Sequence, residues 1–493
     1  MAEPRKNFVG IQIGLVSFLD EGVNQVLDIL QEKARVNALL PSTMSWSRGN
    51  AGRGLDWFPD HGKAEPDHLQ GGAMVNIHPQ YYGATTIKEF RAPDPLYQGV
   101  DYLEMVLPEA KRRGIKVYPY YCETAGREIR HVWVPNFIHV VEVDAWGRKA
   151  VRPCVNNADY RNWHVAILED CFKSYDLDGY VWGVERRGPL LNILDGDVPT
   201  CFCPTCRQQA HERGIDAERA RQGYQEIHDF AMRVRGGAAP LDGYLVEFLR
   251  LLFRHPEVVA WEKFWVDSHV ALAQEIYGAV KWLNPKKEVG VHIWQLINTF
   301  NPLLRAQYPI ESFGNCADFF KPVVYHDVAG FRFSRIVAGC TRTILGDFTP
   351  QEADRFLQRI LHLNEAEWDD LPAAGFTADY IRRETARTVD ATGGRVAVYP
   401  GINVGVQGTP KSSKQITPES VGAAVRASYE GGATGITISR NYSEAMLNCV
   451  AAVGQALDEL GIKDTVPEGL RTEPVRGAAS ASGKAGADDR VAW

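Results

Sequence analysis

Short apolar, β-branched runs alternate along the chain with longer stretches of helical spacing. Phe8–Phe18 reads as a strand, and Glu21–Val36 follows with apolar residues at Val23, Val26, Leu27, Leu30 and Ala34, the spacing of one helix face. Asn37–Trp46 reads as a second strand. Asp101–Arg113 is amphipathic, and Gly114 closes it before a third strand, Ile115–Tyr121. Asn156 is placed to cap a helix whose face carries Tyr160, Trp163, Ile167, Cys171 and Tyr175, with Asp159 in the first turn. A fourth strand, Gly179–Val184, comes next. Val259–Leu283, Pro350–Leu363, Pro418–Tyr429 and Ala445–Leu460 read as helices. Glu288–Trp294, Asp318–Tyr325, Arg395–Tyr399 and Gly435–Ser439 read as strands. Eight strands separated by helices predict an α/β fold, a (β/α)8 TIM barrel; a doubly wound open sheet is the alternative.

Three regions interrupt the repeat. Residues 47–100, rich in Gly, Pro, His and aromatics, read as a long loop after strand two, and residues 186–256 as an insertion after strand four. Residues 466–493 include Gly477-Ala-Ala-Ser-Ala-Ser-Gly-Lys-Ala-Gly-Ala, too poor in apolar groups to fold, and are expected to form a disordered tail. Residues 1–465 are then one barrel domain that includes both insertions.

Charge narrows the partners. Acidic residues outnumber basic ones 61 to 54, a net charge of −7, which argues against nucleic acid as a partner. No apolar run approaches the roughly 18 residues of a membrane span, and the first residues lack an apolar segment with a cleavage site, so a cytoplasmic protein is expected, with a homo-oligomer left open.

Nine cysteines are an odd number, and three of them cluster as Cys201-Phe-Cys203-Pro-Thr-Cys206. Thiolates bunched so tightly point to a metal site in a reducing compartment rather than to disulfides. Zn²⁺ wants a fourth ligand in a tetrahedron, and Cys154, His211 and Cys122 are candidates; a site filled by thiolates is structural, since catalytic zinc keeps an open position.

Chemistry in such a barrel belongs at the C-terminal strand ends. Those ends carry Cys122-Glu123, Glu185-Arg186-Arg187, His292 and Trp294, His326-Asp327, Asn403, and Arg440. Glu185 stands out because Tyr180-Val-Trp-Gly-Val is apolar until the carboxylate appears. Beside Trp182 it would be partly desolvated, raising its pKa toward a proton-donating value; the alternative is a salt bridge to Arg186 or Arg187. Glycoside hydrolysis needs a second carboxyl about 5 to 9 Å away. Asp327 is the first candidate and Glu123 the second, and the other reading of Asp327 is a cap on a helix beginning near Phe331. The loop carrying Trp57, His61, His68 and His78 suits sugar binding, with a metal site as the alternative. Trp182, Arg186, His292, Trp294, His326, Asn403 and Arg440 complete the candidate substrate contacts.

Residues 147–213 resemble the matching stretch of the family-42 glycoside hydrolases, the barrel β-galactosidases. The shared features are Gly147-Arg-Lys-Ala-Val-Arg152-Pro-Cys154 before a helix, the Asp178-Gly179 strand ending in Glu185, and the Cys-x-Cys-x-x-Cys loop. The resemblance implies a structural zinc held by Cys154, Cys201, Cys203 and Cys206, with Glu185 as general acid. The chain departs from the family at Val184, where the family has Asn, and at strand seven, which ends in Asn403 rather than in a nucleophilic glutamate; a clear trimerisation domain is not expected after the barrel. The Asp-Gly strand also resembles uncharacterised hydrolase-like barrels. The expected activity is a glycoside hydrolase-like cleavage of a small glycoside or oligosaccharide by Glu185 and Asp327. Its alternatives are a non-hydrolytic carbohydrate-binding barrel, or a metal-dependent hydrolase or lyase using His61, His68, His78 or His326.

Overall fold

The computed structural model describes residues 7–46, 59–63, 71–124, 134–295, 300–308, 310–406 and 412–462. Trp57, His68 and the expected tail at 466–493 lie outside them.

Ten of its strands form two five-stranded sheets in which every neighbouring pair is parallel. One sheet has the order β13 (Gly401–Asn403), β14 (Gly435–Ser439), β1 (Phe8–Ile13), β2 (Ala38–Pro41), β5 (Lys116–Val117). The other runs β12 (Ala397–Val398), β11 (Phe319–Pro322), β10 (Glu288–Ile293), β9 (Gly179–Glu185), β6 (Tyr120–Thr124). Two small antiparallel pairs stand apart, β3 (Met44–Ser45) with β4 (Gly72–Ala73) and β7 (Val141–Val143) with β8 (Lys149–Pro153).

The sheets share two chain runs. β5 passes to β6 through Tyr118-Pro119, and β12 passes to β13 through Tyr399-Pro400, so the same tripeptide, Val-Tyr-Pro, stands at both seams. A proline lacks an N–H and so removes one ladder bond, which ends a strand in one sheet and lets the chain restart in the other. The carbonyls carry the pairing across each seam: Pro119 accepts from Val181 N at 2.9 Å, and Pro400 from Thr437 N at 2.8 Å.

Strand alternation divides the core. Facing inward, Phe8 stacks on Tyr399 with centroids 4.1 Å apart, and Tyr118 and Phe319 close on the same rings from the other sheet. Gly290 makes room for this cluster, since a Cβ there would meet the Phe319 ring at 2.3 Å. The outward residues, including Val9, Ile11, Trp182 and Val184, join the larger core under the helices.

The helices differ from the sequence reading in detail. The run Phe8–Phe18 splits at Gly14, with a strand to Ile13 and a helix Leu15–Glu21 that buries Leu15, Val16 and Phe18. Asn157, not Asn156, caps the helix Ala158–Ser174, its side chain accepting from Asp159 N and Tyr160 N. The helix expected near Phe331 begins five residues earlier, at His326, and β11 ends at Pro322. No helix of the described residues is long and apolar enough to cross a membrane.

Candidate active site

Glu185 ends β9 on the inward face, in phase with Val181 and Gly183. Gly183 is required there, because a Cβ would meet the His292 side chain at 2.5 Å. In the space left, His292 Nε2 lies 3.1 Å from Glu185 Oε1. The other ring nitrogen, Nδ1, lies 3.2 Å from Lys321 Nζ and 3.4 Å from the Tyr120 hydroxyl. Cys122, Glu185 and His292 each bring an atom within 4.8 Å of the other two. The Glu185 side chain is 30 % exposed and that of His292 only 2 %, so the carboxylate is the part of this cluster that meets solvent.

Burial alone would push Glu185 up. The His292 hydrogen bond, with the charges of Arg332 and Lys321, outweighs it, and its pKa falls below the ordinary carboxylate value. This corrects the expected upward shift. Trp182, the group expected to desolvate Glu185, points to the opposite face of β9 and is buried in the outer core. Burial holds the Lys321 pKa down to about 8, and burial, with the Lys321 charge second, lowers that of His292. The sequence reading missed Lys321; the signal was a lone lysine in the apolar run Phe319-Phe-Lys-Pro-Val-Val.

Neither arginine after Glu185 pairs with it. Arg187 bonds Asp195 at 2.9 Å, whereas Arg186 turns outward to Glu123 at 2.5 Å and donates to the Pro153 carbonyl at 2.6 Å. His164 Nε2 completes the Glu123 site at 3.2 Å. Burial opposes this carboxylate, yet Arg186 and His164 bring its pKa to about 2. Glu123 is thus a closed structural charge on the far side of the sheet from Glu185.

The other expected residues are dispersed. Asp327 occupies the first turn of the helix His326–Thr341 with its side chain fully enclosed, 3.5 Å from His326 Nδ1. His61 bonds Glu21 at 2.9 Å and the Ala445 carbonyl at 2.8 Å. His78 bonds Asp170 at 2.6 Å on the helix Ala158–Ser174. Both amide atoms of Asn403 are engaged by the Val406 backbone. Trp294 is half-buried against the outer core, and Arg440 pairs with Glu444. Arg440 and Tyr325 nevertheless act electrostatically with Glu185.

A second cluster gathers Cys154, Cys201, Cys203 and Cys206, all buried and with their sulfurs within 4.8 Å of one another, a set that can hold a metal ion. Cys154 Sγ lies 3.6 Å from Cys203 Sγ and 3.4 Å from Cys206 Sγ. Zn–S bonds of about 2.3 Å would space the sulfurs about 3.8 Å apart, so the set fits a tetrahedral ion with a small expansion. Cys203 also caps the helix Pro204–Glu212, whose N-terminal dipole favours a thiolate. Asn156 serves here rather than as a helix cap, donating to Cys206 Sγ. Of the other candidates for the fourth ligand, Cys122 faces Glu185 and His211 lies in the last turn of that helix.

No protein-family model matches the chain, and no curated protein resembles it in sequence. Solved structures match it in fold. A GH42 β-galactosidase from G. stearothermophilus superposes with a TM-score of 0.50 at 12% identity, over 94% of this chain and 58% of that one. A β-galactosidase from the psychrophilic Marinomonas ef1 gives a TM-score of 0.50 at 10% identity, over 93% and 61%. The chain shares their fold. It spans about three-fifths of their length.

Proposed function

We propose that this protein is a glycoside hydrolase-like enzyme acting on a small glycoside or oligosaccharide, with Glu185 as its reacting carboxylate. The observation that carries the reading is the position of Glu185: a carboxylate opening to solvent at an inner strand end, backed by an enclosed imidazole. Its setting, on a fold shared with β-galactosidases, supports a carbohydrate substrate. The two Val-Tyr-Pro seams support a sheet closed into a (β/α)8 barrel, which would make this inner end the mouth. The four-cysteine cluster supports a structural Zn²⁺ that pins the residues after β9.

In that mouth a lowered pKa suits Glu185 to attack or to accept a proton before it donates one. Arg440 and Tyr325, which act on Glu185 electrostatically, would bind sugar hydroxyls. The enclosure of Asp327 does not favour it as the partner carboxylate. Asn403, closed on Val406 at the end of β13, favours a second reading, a carbohydrate-binding barrel without hydrolysis.

A panel of p-nitrophenyl glycosides, β-galactoside first, separates the two. Release of nitrophenol that disappears in Glu185→Gln supports the enzyme. Saturable sugar binding without release supports the binding barrel. Activity lost at once to a chelator while the fold survives would point instead to metal-dependent chemistry.

A further inference from the structure

The inner cluster contains a lysine that no substrate contact explains. Lys321 is fully buried, and among the described residues it forms no ion pair; its Nζ lies 3.2 Å from His292 Nδ1. Burying an ammonium without a counter-charge is unfavourable, and here the chain is shaped to do it. Gly401, on the neighbouring run, leaves the space: a Cβ there would come within 3.1 Å of Lys321 Nζ. The Tyr120 ring face lies 5.9 Å from the same nitrogen.

We propose that Lys321 is a positioning residue for Glu185: its ammonium donates to His292 Nδ1, which places the single proton of the neutral ring on Nε2 and directs it at the Glu185 carboxylate. An ammonium has only donors, so Nδ1 opposite it must accept, and a neutral imidazole that accepts at one nitrogen donates at the other. The line Lys321–His292–Glu185 thus fixes a tautomer and an orientation. Glu185 receives a hydrogen bond from a neutral donor rather than pairing with an imidazolium. The inference rests on the reading in which Glu185 reacts, but its structural content, the His292 tautomer, is measurable without turnover.

The groups facing His292 are Tyr120 and Cys122 from β6, Glu185 from β9 and Lys321 from β11; Arg332, Tyr325 and Arg440 face Glu185 from beyond. Burial first, and Glu185 among the charges, keep Tyr120 and Cys122 protonated well past neutrality. Lys321 and Glu185 are therefore the charges that set the state of His292. Loss of Lys321 removes a like charge and leaves Glu185 to draw a second proton onto the ring.

The test is ¹⁵N NMR of histidine-labelled protein, comparing the full chain with Lys321→Met and Lys321→Gln. In the unsubstituted protein at neutral pH, His292 is expected neutral with its proton on Nε2. In Lys321→Met it should hold a second proton to at least about one pH unit higher. Lys321→Gln, which keeps a donor without the charge, should retain the tautomer yet show the same upward shift. On p-nitrophenyl β-galactoside, Lys321→Met should lower kcat at least about tenfold with KM within about twofold, because Lys321 does not reach the substrate. A proton on Nδ1 in the unsubstituted protein, or an unchanged His292 titration in both variants, overturns the inference. If Glu185→Gln keeps full turnover while the His292 pattern is as stated, the reading of Glu185 fails and the Lys321–His292 arrangement stands. If Lys321→Met does not fold, the tautomer in the unsubstituted protein and the Lys321→Gln titration still decide.

Discussion

Glu185 and Glu123 stand on adjacent strands one step apart in register, Val184 opposite Glu123 and Thr124 opposite Glu185, yet on opposite faces of the sheet. Both have a histidine partner and both are held below the ordinary carboxylate pKa. They differ in closure. Glu123 is enclosed by Arg186 and His164 and has no path to solvent, whereas Glu185 is bonded on one side and open on the other. A carboxylate's partners alone therefore do not mark a reactive site; a partner behind it and an opening in front do.

Four measurements break or sharpen that contrast. The largest expected effect is Glu185→Gln, which should reduce turnover by roughly 10² to 10⁴ while leaving the denaturation midpoint in place. Unfolding instead of inactivation would put Glu185 in the same class as Glu123. Glu123→Gln should do the reverse, costing about 3–5 kcal/mol in urea denaturation because Arg186 is left buried beside a neutral amide. Its pH signature has a definite sign. The folded-state pKa is about 2, below the ordinary 4.5, so the pair contributes stability above about 4.5 that is lost as pH falls toward 2. That slope should flatten in the variant.

The third test concerns the metal. Elemental analysis should find about one zinc per chain, and Cys203→Ser should lower the melting temperature without selectively removing chemistry. Metal-free protein with unchanged stability would remove the structural role. The smallest effect is expected of Asp327→Asn, with turnover within about tenfold of the parent, since an enclosed group makes no contact with the reacting bond. A loss of several orders of magnitude would instead reinstate Asp327 as the second carboxylate.

Much of the fold was legible because buried parallel strands are written as short apolar runs, and Gly179–Glu185 and Gly435–Ser439 appear almost where expected. The site was legible only as far as a single polar residue breaks such a run. Glu185 does so at a strand end and was visible. Lys321 does so too, but its meaning depends on His292 and Gly401, more than 20 residues away on either side. The faces were readable but unused: period two puts Trp182 and Glu185 on opposite faces of β9, although the sequence reading sets Trp182 beside the carboxylate. The Cys154 ligand needed the resemblance, since spacing alone left three candidates for the fourth position. His61 and His78 are ordinary-looking loop residues whose carboxylate partners, Glu21 and Asp170, no local pattern could have supplied.

The way the two sheets divide the chain constrains how it is made. The sheet from β6 to β12 is built from one continuous stretch, whereas the other takes its strands from both flanks, and β1 has Ala38 on one side and Gly435 on the other. During synthesis the strand Phe8–Ile13 emerges well before its second neighbour, Gly435–Ser439. Until Gly435–Ser439 is made, one edge of β1 lacks this partner, an edge of the kind that recruits strands from other molecules. Such distant pairing also slows folding. Shortening the gene before the codon for Gly435 would make that transient edge permanent, so aggregation, more than loss of chemistry, should be the mark of premature termination.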